Sequence, residues 1–368
     1  MRNNRAIKIS VHICRIVLAQ TFILSGFTKV VDPWGTALKV DEYLTIYGLE
    51  ELLPASMVFS IWLCGAELMM GCMLLFRVRI RLISIFALIS MLIFTGITLL
   101  SATVLPVEDC GCFGEAIKLT PWQTFFKNLV LLPLAVAVWW RYRPDKIFAF
   151  NLREVVLTVL FFFGSMYLGC YCYRHLPVVD FLPYKVGVNI LAAMQEEPAD
   201  GADAAETVLI YRNRQTGEER SFALDEPEWQ DTLRWEWVDT RTLHEAPAIR
   251  PLVSEFSLRD AGEDVTEELL SLPGRLYMLC VTSFDRLPQA CIDRMAALVA
   301  RAAREGAEVI CLTPYPLDGE TWYDFGTGEV HCYNIDASTM KTMLRARNGL
   351  VTLDDGTISD KRNCRDIR

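Results

Sequence analysis

The sequence predicts an α-helical membrane bundle followed by a soluble α/β domain. Three observations carry this. The 368 residues are 52% hydrophobic with a mean hydropathy of +0.25, which is more apolar than a soluble chain of this length. The apolarity is uneven: residues 1–175 hold nearly all the long apolar runs, while 176–368 have the composition of an acidic globular domain. Five stretches, near 7–27, 55–76, 82–105, 122–140 and 155–173, reach the roughly 20 mostly apolar residues that a bilayer span needs.

The first stretch is the most interrupted, by Lys8, His12, Arg15 and Gln20. It is long, polar-studded and followed by no small-residue cleavage site, so it reads as a retained helix rather than a signal peptide. Basic residues set the orientation. Arg2 and Arg5 precede the first span, Arg77, Arg79 and Arg81 crowd the link between the second and third, and Arg141, Arg143, Lys146 and Arg153 fill the link between the fourth and fifth. The other two links are acidic or mixed, with Asp32, Asp41, Glu42, Glu50 and Glu51 in one and Glu108, Asp109 and Glu115 in the other. The positive-inside rule then places the N-terminus in the cytoplasm of a bacterial inner-membrane protein, and everything after residue 173 in the periplasm. The net charge of −9, with no basic patch in the soluble half, argues against a nucleic-acid partner.

Charged groups near the spans need partners, because a bare charge in lipid is costly. Arg15, Lys29, Glu67 and Lys127 are the residues concerned. One reading is a structural Arg15–Glu67 pair across two helices. The other is a polar pocket that binds a cofactor head group or relays protons.

Between the third and fourth spans stands Asp109-Cys110-Gly111-Cys112-Phe113-Gly114. A glycine follows each cysteine, so the backbone can turn there at little cost. A disulfide in so small a ring departs from ideal geometry and is easily reduced, which makes it an oxidant rather than a staple. Glu108 and Asp109 oppose a thiolate, whereas Lys118 or Lys127 favours one. Three readings stay open: a redox-exchanging pair, a bond or thiol pair that only shapes the loop, and a metal site. Two sulfurs with no nearby histidine do not fill a tetrahedral metal site. Of the twelve cysteines, seven lie in residues 1–175. Cys14, Cys64 and Cys72 read as small apolar core residues. Cys170 and Cys172 read either as a relay to the loop or as filler at a helix end, since i and i+2 do not share a helix face.

Ser25-Gly26-Phe27-Thr28-Lys29, Asp32-Pro33, Glu67, the cysteine hexapeptide, Trp122 and Lys127-Asn128 together resemble the MauE branch of the DoxX-like membrane proteins, over roughly residues 8–140. The resemblance implies a four-helix bundle at 1–145, with a fifth helix added at 146–176. It also implies periplasmic thiol chemistry alongside a thioredoxin-like partner. Nothing in the chain points to methylamine as such.

In the soluble half, residues 196–205 read as a linker. Segments 206–212, 220–224 and 236–242 alternate like strands, with a turn at Gln215-Thr216-Gly217, and make a β-rich lead-in at 177–248. Beyond it, 276–281 and 308–312 are buried strands, and 287–304 is a helix with Ile292, Met295, Leu298, Val299 and Ala302 on one side. A β-α-β opening followed by a hairpin resembles a thioredoxin-like domain at 249–368. Its usual C-x-x-C position reads Thr282-Ser283-Phe284-Asp285-Arg286-Leu287-Pro288, without cysteine. Cys280 falls in a strand and Cys291 on the helix, outside its reactive first turn. Cys332 is a candidate for a structural bridge to Cys311 or Cys364. The expected role of this domain is to dock a protein partner.

Two functions remain in view. In the first, Cys110 and Cys112 exchange disulfides with a periplasmic protein while electrons pass to or from a membrane quinone. In the second, the chain is a non-enzymatic membrane scaffold. Transport is a third and weaker reading, as no inverted repeat is present.

Overall fold

The computed structural model describes residues 2–104, 111–142, 151–195, 207–214, 219–223, 234–242, 253, 256–315 and 321–368. Helix α1 spans Arg2–Val31 and ends at Asp32. Asp32 caps α2 (Pro33–Ile46), accepting from the Gly35 N–H at 3.0 Å, with Pro33 in the first turn where no donor is lost. A 3₁₀ turn leads into α3 (Ser56–Phe76), and a tight link leads to α4 (Ile80–Thr103). Helices α5 (Pro121–Arg141) and α6 (Leu152–Arg174) follow. Among the described residues five helices are long and apolar enough to cross a membrane, consistent with a multi-pass membrane protein. The acidic link expected at 32–51 is largely α2, a helix too short to span.

Helices α1 and α3 pack backbone to backbone. A Cβ on Gly26 would fall 2.4 Å from the Leu68 nitrogen, and one on Gly71 would fall 2.6 Å from the Ile23 nitrogen. Small residues at such crossings let helices approach closely in lipid, where hydrophobic burial drives little association. Around this contact sit Leu18, Phe22, Met70, Leu74, Ile83 and Met91. Large apolar residues such as Val58, Phe163 and Tyr167 face outward, as lipid contact requires.

Residues 189–256 form a compact unit of their own. It contains α7 (Ile190–Gln195) and an antiparallel sheet of β1 (Thr207–Asn213), β2 (Glu219–Ala223) and β3 (Trp235–Thr242), in the order β2-β1-β3. The expected linker at 196–205 and turn at 215–217 lie outside the described residues.

The other unit joins residues 1–188 with 257–368. Its α/β part begins with β4 (Leu258–Asp260), β5 (Glu263–Asp264) and α8 (Thr266–Leu270). Then come β6 (Arg275–Val281), α9 (Gln289–Glu305), β7 (Glu308–Thr313), β8 (Trp322–Asp324) and β9 (Glu329–Ile335). Helix α10 (Ala337–Leu344), β10 (Asn348–Asp354) and β11 (Thr357–Asn363) complete it. The sheet order is β11-β10-β6-β7-β9-β4-β5, with β8 beside β9. Strands β6, β7 and β9 are parallel, whereas β10 and β11 are antiparallel. Strand β6 is buried along nearly its whole length because it is central, which is why it reads as a continuous apolar run. Met295, Leu298, Val299 and Ala302 of α9 pack on the sheet as their spacing predicts.

Two expectations change here. The bridge is Cys291–Cys364 rather than one from Cys332. Cys311 and Cys332 are neighbours across β7 and β9, and both are free thiols. Pro288 sets the start of α9, so the helix begins at Gln289 and Cys291 falls within its first turn. The bond closes a loop with a sequence separation of 73. Chain-entropy accounting gives such a loop about 4 kcal/mol of stabilisation.

The α/β part is fastened to the bundle by buried charge. Arg345, only 2% exposed, places Nε 3.1 Å from Asp32 Oδ2 and Nη2 3.4 Å from Glu115 Oε1. The Nε contact is an ion pair without an aligned hydrogen bond. Lys361 Nζ meets Asp180 Oδ2 at 2.5 Å and donates to the carbonyls of Tyr184 and Met343. At the end of α6, His175 Nδ1 lies 2.9 Å from Asp366.

Two predictions follow from this packing. Gly71→Val forces α1 and α3 apart and lowers stability by about 1–3 kcal/mol, as in other overpacked cores. Gly96→Ala, where a Cβ meets open space, is neutral or mildly stabilising. Thermal unfolding in detergent measures both. Arg345→Met strands a buried Asp32 carboxylate and costs about 3–5 kcal/mol. The exposed Arg275–Asp354 pair, at 2.8 Å, is the control, and its loss costs roughly 0–1 kcal/mol. Burial holds the Asp32 carboxyl above its ordinary range, while Arg345 and the Gly35 N–H pull it back. A carboxyl raised in the folded state destabilises when ionised, and that penalty fades as pH falls through its folded-state pKa. The Arg345→Met deficit is therefore largest at neutral pH and shrinks in mild acid; a pH-independent deficit contradicts the assignment.

Candidate functional site

The C-terminal turns of α1 present Ser25, Thr28 and Lys29 to the other helices, and all three are buried. Helix α3 brings Glu67 to the same level, because α1 and α3 run antiparallel with Gly26 against Leu68. Lys29 Nζ lies 2.8 Å from Glu67 Oε2. A buried pair of this kind persists only when both charges are matched, since removing either strands the other. The Lys29 ammonium also stands 5.7 Å from the Phe94 ring of α4.

The loop before α5 folds over these groups. Gly111 (φ 60°) and Gly114 (φ 56°) both adopt the left-handed conformation, and the Gly114 N–H donates to Gly111 O at 3.1 Å. Both glycines of the hexapeptide are thus used for turning. The Ser25 hydroxyl donates to the Cys112 carbonyl at 2.5 Å and so ties the loop to α1. Phe113 is buried, and Lys127 of α5 stands 4.3 Å from its ring. Next to Lys127, Asn128 donates to Thr98 of α4 at 3.4 Å. Cys110, Glu108 and Asp109 lie outside the described residues.

A cavity of about 270 Å³ opens among these elements, just under the usual size of a small-molecule site. Cys112, Lys29, Lys39, Tyr43, Phe59 and Phe94 line it, and its walls are largely apolar. Helix α2 supplies Lys39, which pairs with Glu42 at 3.1 Å, and Tyr43, whose hydroxyl is 3.3 Å from Ser101. The cavity thus holds one sulfur-bearing residue and one buried cation within an apolar shell.

The four charged residues singled out from the sequence do not share one pocket. Lys29 lines the cavity and pairs with Glu67, which does not line it, and Lys127 stacks on the loop. Arg15 is elsewhere: it donates to the carbonyls of Leu74 and Leu75, and its Nη2 is 3.2 Å from His12 Nδ1. It thereby caps the last carbonyls of α3, where a cation suits the helix dipole. The Arg15–Glu67 pair is replaced by Lys29–Glu67 because the antiparallel register puts Arg15 level with the end of α3, roughly 10 Å along the helix from Glu67. Cys170 is exposed and Cys172 buried on α6, so the two point apart. Among the described residues no group of three or more His, Cys, Asp or Glu side chains is placed to hold a metal.

Sequence reasoning missed the part played by α2 and by Arg345, whose Glu115 partner follows directly on the hexapeptide. Asp32-Pro33 is a helix-start signature that marks α2; nothing local marks Arg345.

Residues 7–141 match the family described as methylamine utilisation protein MauE. Residues 205–244 match a domain of unknown function, DUF8463. Protein TlpB of Flavobacterium psychrophilum is 32% identical over 129 residues, a match that covers 33% of this chain and 34% of that protein. The chain therefore spans about a third of the length of this curated relative. No solved structure matches. The chain thus carries a MauE-like membrane region, joined to a mixed α/β C-terminal part that contains a buried disulfide.

Proposed function

We propose that the protein is an inner-membrane component of periplasmic thiol–disulfide chemistry, with Cys110 and Cys112 as its exchanging pair and a membrane quinone as the electron carrier. The observation that carries this reading is the apolar cavity lined by both Cys112 and Lys29, with Glu67 behind it as the buried partner of that lysine. The chemistry balances. Two electrons and two protons pass between the Cys110/Cys112 dithiol and the quinone ring, giving a disulfide and a quinol. A partner's dithiol then reduces that disulfide and leaves oxidised. Lys29 stands by with positive charge for a thiolate or quinone oxygen, and Glu67 offers a carboxylate for proton transfer.

The arginine-rich α3–α4 link and Arg141 at the end of α5 support a cytoplasmic location for that end of the bundle, with the loop and the α/β part in the periplasm. The order β11-β10-β6-β7, with α9 crossing between β6 and β7, supports a thioredoxin-like domain that docks the partner.

Maleimide trapping in intact membranes tests the loop pair. Cys110 and Cys112 should label only after reduction, and Cys110→Ser/Cys112→Ser should abolish oxidation of the partner. Identical labelling with and without reductant, together with retained function in the double variant, leaves a scaffold as the better reading. Lys29→Met strands Glu67 and costs about 3–5 kcal/mol. Lys29→Met combined with Glu67→Leu restores stability to within about 1–2 kcal/mol of the parent yet stops electron exchange with added quinone. Normal quinone exchange in that stable double variant removes the pair from the mechanism.

A further inference from the structure

The Cys291–Cys364 bond stands apart from the loop pair, and its surroundings are unusual for a staple. Both cysteines line a cavity of about 430 Å³. Five arginines, Arg174, Arg286, Arg294, Arg347 and Arg365, line it too, and no aspartate or glutamate does. None of the five is ion-paired to a described residue. No basic patch is visible along the sequence of the soluble half, yet in a chain of net charge −9 the fold gathers five unmatched guanidiniums around one opening, which makes a concentrated positive field. Trp34 lines the same cavity, and its indole N–H has no acceptor among the described residues.

The position of the sulfur matters as much as the charge. Cys291 lies in the first turn of α9, directly after the central strand β6, with its N–H bonded to Pro288 O at 2.8 Å. The helix N-terminus and nearby arginines both favour the thiolate form of a cysteine. That makes Cys291 the better leaving group when the bond is attacked. Both cysteines are nearly closed to solvent, at 3% and 6% exposure, so the cavity is their means of access.

We infer that Cys291–Cys364 is a second thiol-exchange site, and that its substrate is a protein or peptide dithiol flanked by acidic residues. A thiolate of the partner attacks the Cys364 sulfur, forming a mixed disulfide and releasing Cys291 as thiolate. The partner's second thiolate then attacks the mixed bond and releases Cys364. The partner departs as a disulfide, two electrons have passed to Cys291 and Cys364, and the partner's two thiol protons balance the new dithiol. The arginines select the partner by charge and hold the nascent thiolate. This site is independent of Cys110 and Cys112 and goes beyond the reading given for them.

The test uses the full-length protein in nanodiscs, in a Cys110→Ser/Cys112→Ser background. Three reduced peptides share one Cys-x-x-Cys core and differ only in acidic, neutral or basic flanks. Alkylation followed by peptide mapping reads the state of Cys291 and Cys364 over time. The acidic peptide should reduce the bond about tenfold or more faster than the basic one at low salt, and high salt should close the gap. Arg286→Glu/Arg294→Glu, which keeps both cysteines, should reverse the preference. Cys291→Ala, which removes the leaving thiol, should capture the oxidised acidic peptide on Cys364; if that variant does not fold, the charge-reversal series decides. A bond that resists all three peptides while the protein is folded, or rates indifferent to flank charge, overturns the inference. Because the loop cysteines are absent, that outcome leaves their trapping result untouched.

Discussion

Arg345 occupies the left-handed position that ends α10, almost wholly enclosed, and faces two carboxylates from the membrane half of the chain. A guanidinium there has no water to fall back on, so it is tolerable only while Asp32 and Glu115 stay in place. Asp32 at the same time caps α2, which walls the cavity, and Glu115 follows the cysteine loop. One buried cation therefore fixes three things: the docking of the α/β part on the bundle, the start of α2, and the far end of the loop. The Lys361 cluster and the His175–Asp366 contact secure the same face at other points.

Two kinds of charge placement serve different ends in this molecule. Lys29–Glu67 and Arg345–Asp32 are matched pairs closed off from water, and they define position more than they add net stability. The arginines beside Cys291–Cys364 are the opposite case. They lack carboxylate partners among the described residues and face an opening, where their field is available to something arriving. The contrast separates the groups that hold the fold from those that can act on a ligand.

Much of the architecture is legible in the residues. The five spans follow from run length, the central strands from unbroken apolar stretches such as 276–281, and the turning of the hexapeptide from its two glycines. What is not legible depends on register or on distant pairing. Arg15 and Lys29 lie on one helix, and only the contact of Gly26 with Leu68 decides which of them meets Glu67. Helix α2 escapes notice because its apolar and charged residues mix over too few turns to resemble either a span or a soluble helix. The partner of Cys364 is set by how the last 3₁₀ turn packs on α9, and a shift of the helix start to Gln289 changes the meaning of Cys291. Arg345 is one of many arginines, with no local pattern to distinguish it from those at the surface.

The backbone contact between α1 and α3 has a mechanical outcome. With no side chain between Gly26 and Leu68, or between Gly71 and Ile23, these helices lack the compliant layer along which neighbours normally slide or roll. Ser25 grips the loop carbonyl and Lys29 grips Glu67 from the same short stretch of α1. Any tilt of that stiff two-helix strut must carry the sulfur-bearing loop and the buried ion pair along as a single lever, so their spacing is preserved while other parts of the molecule rearrange.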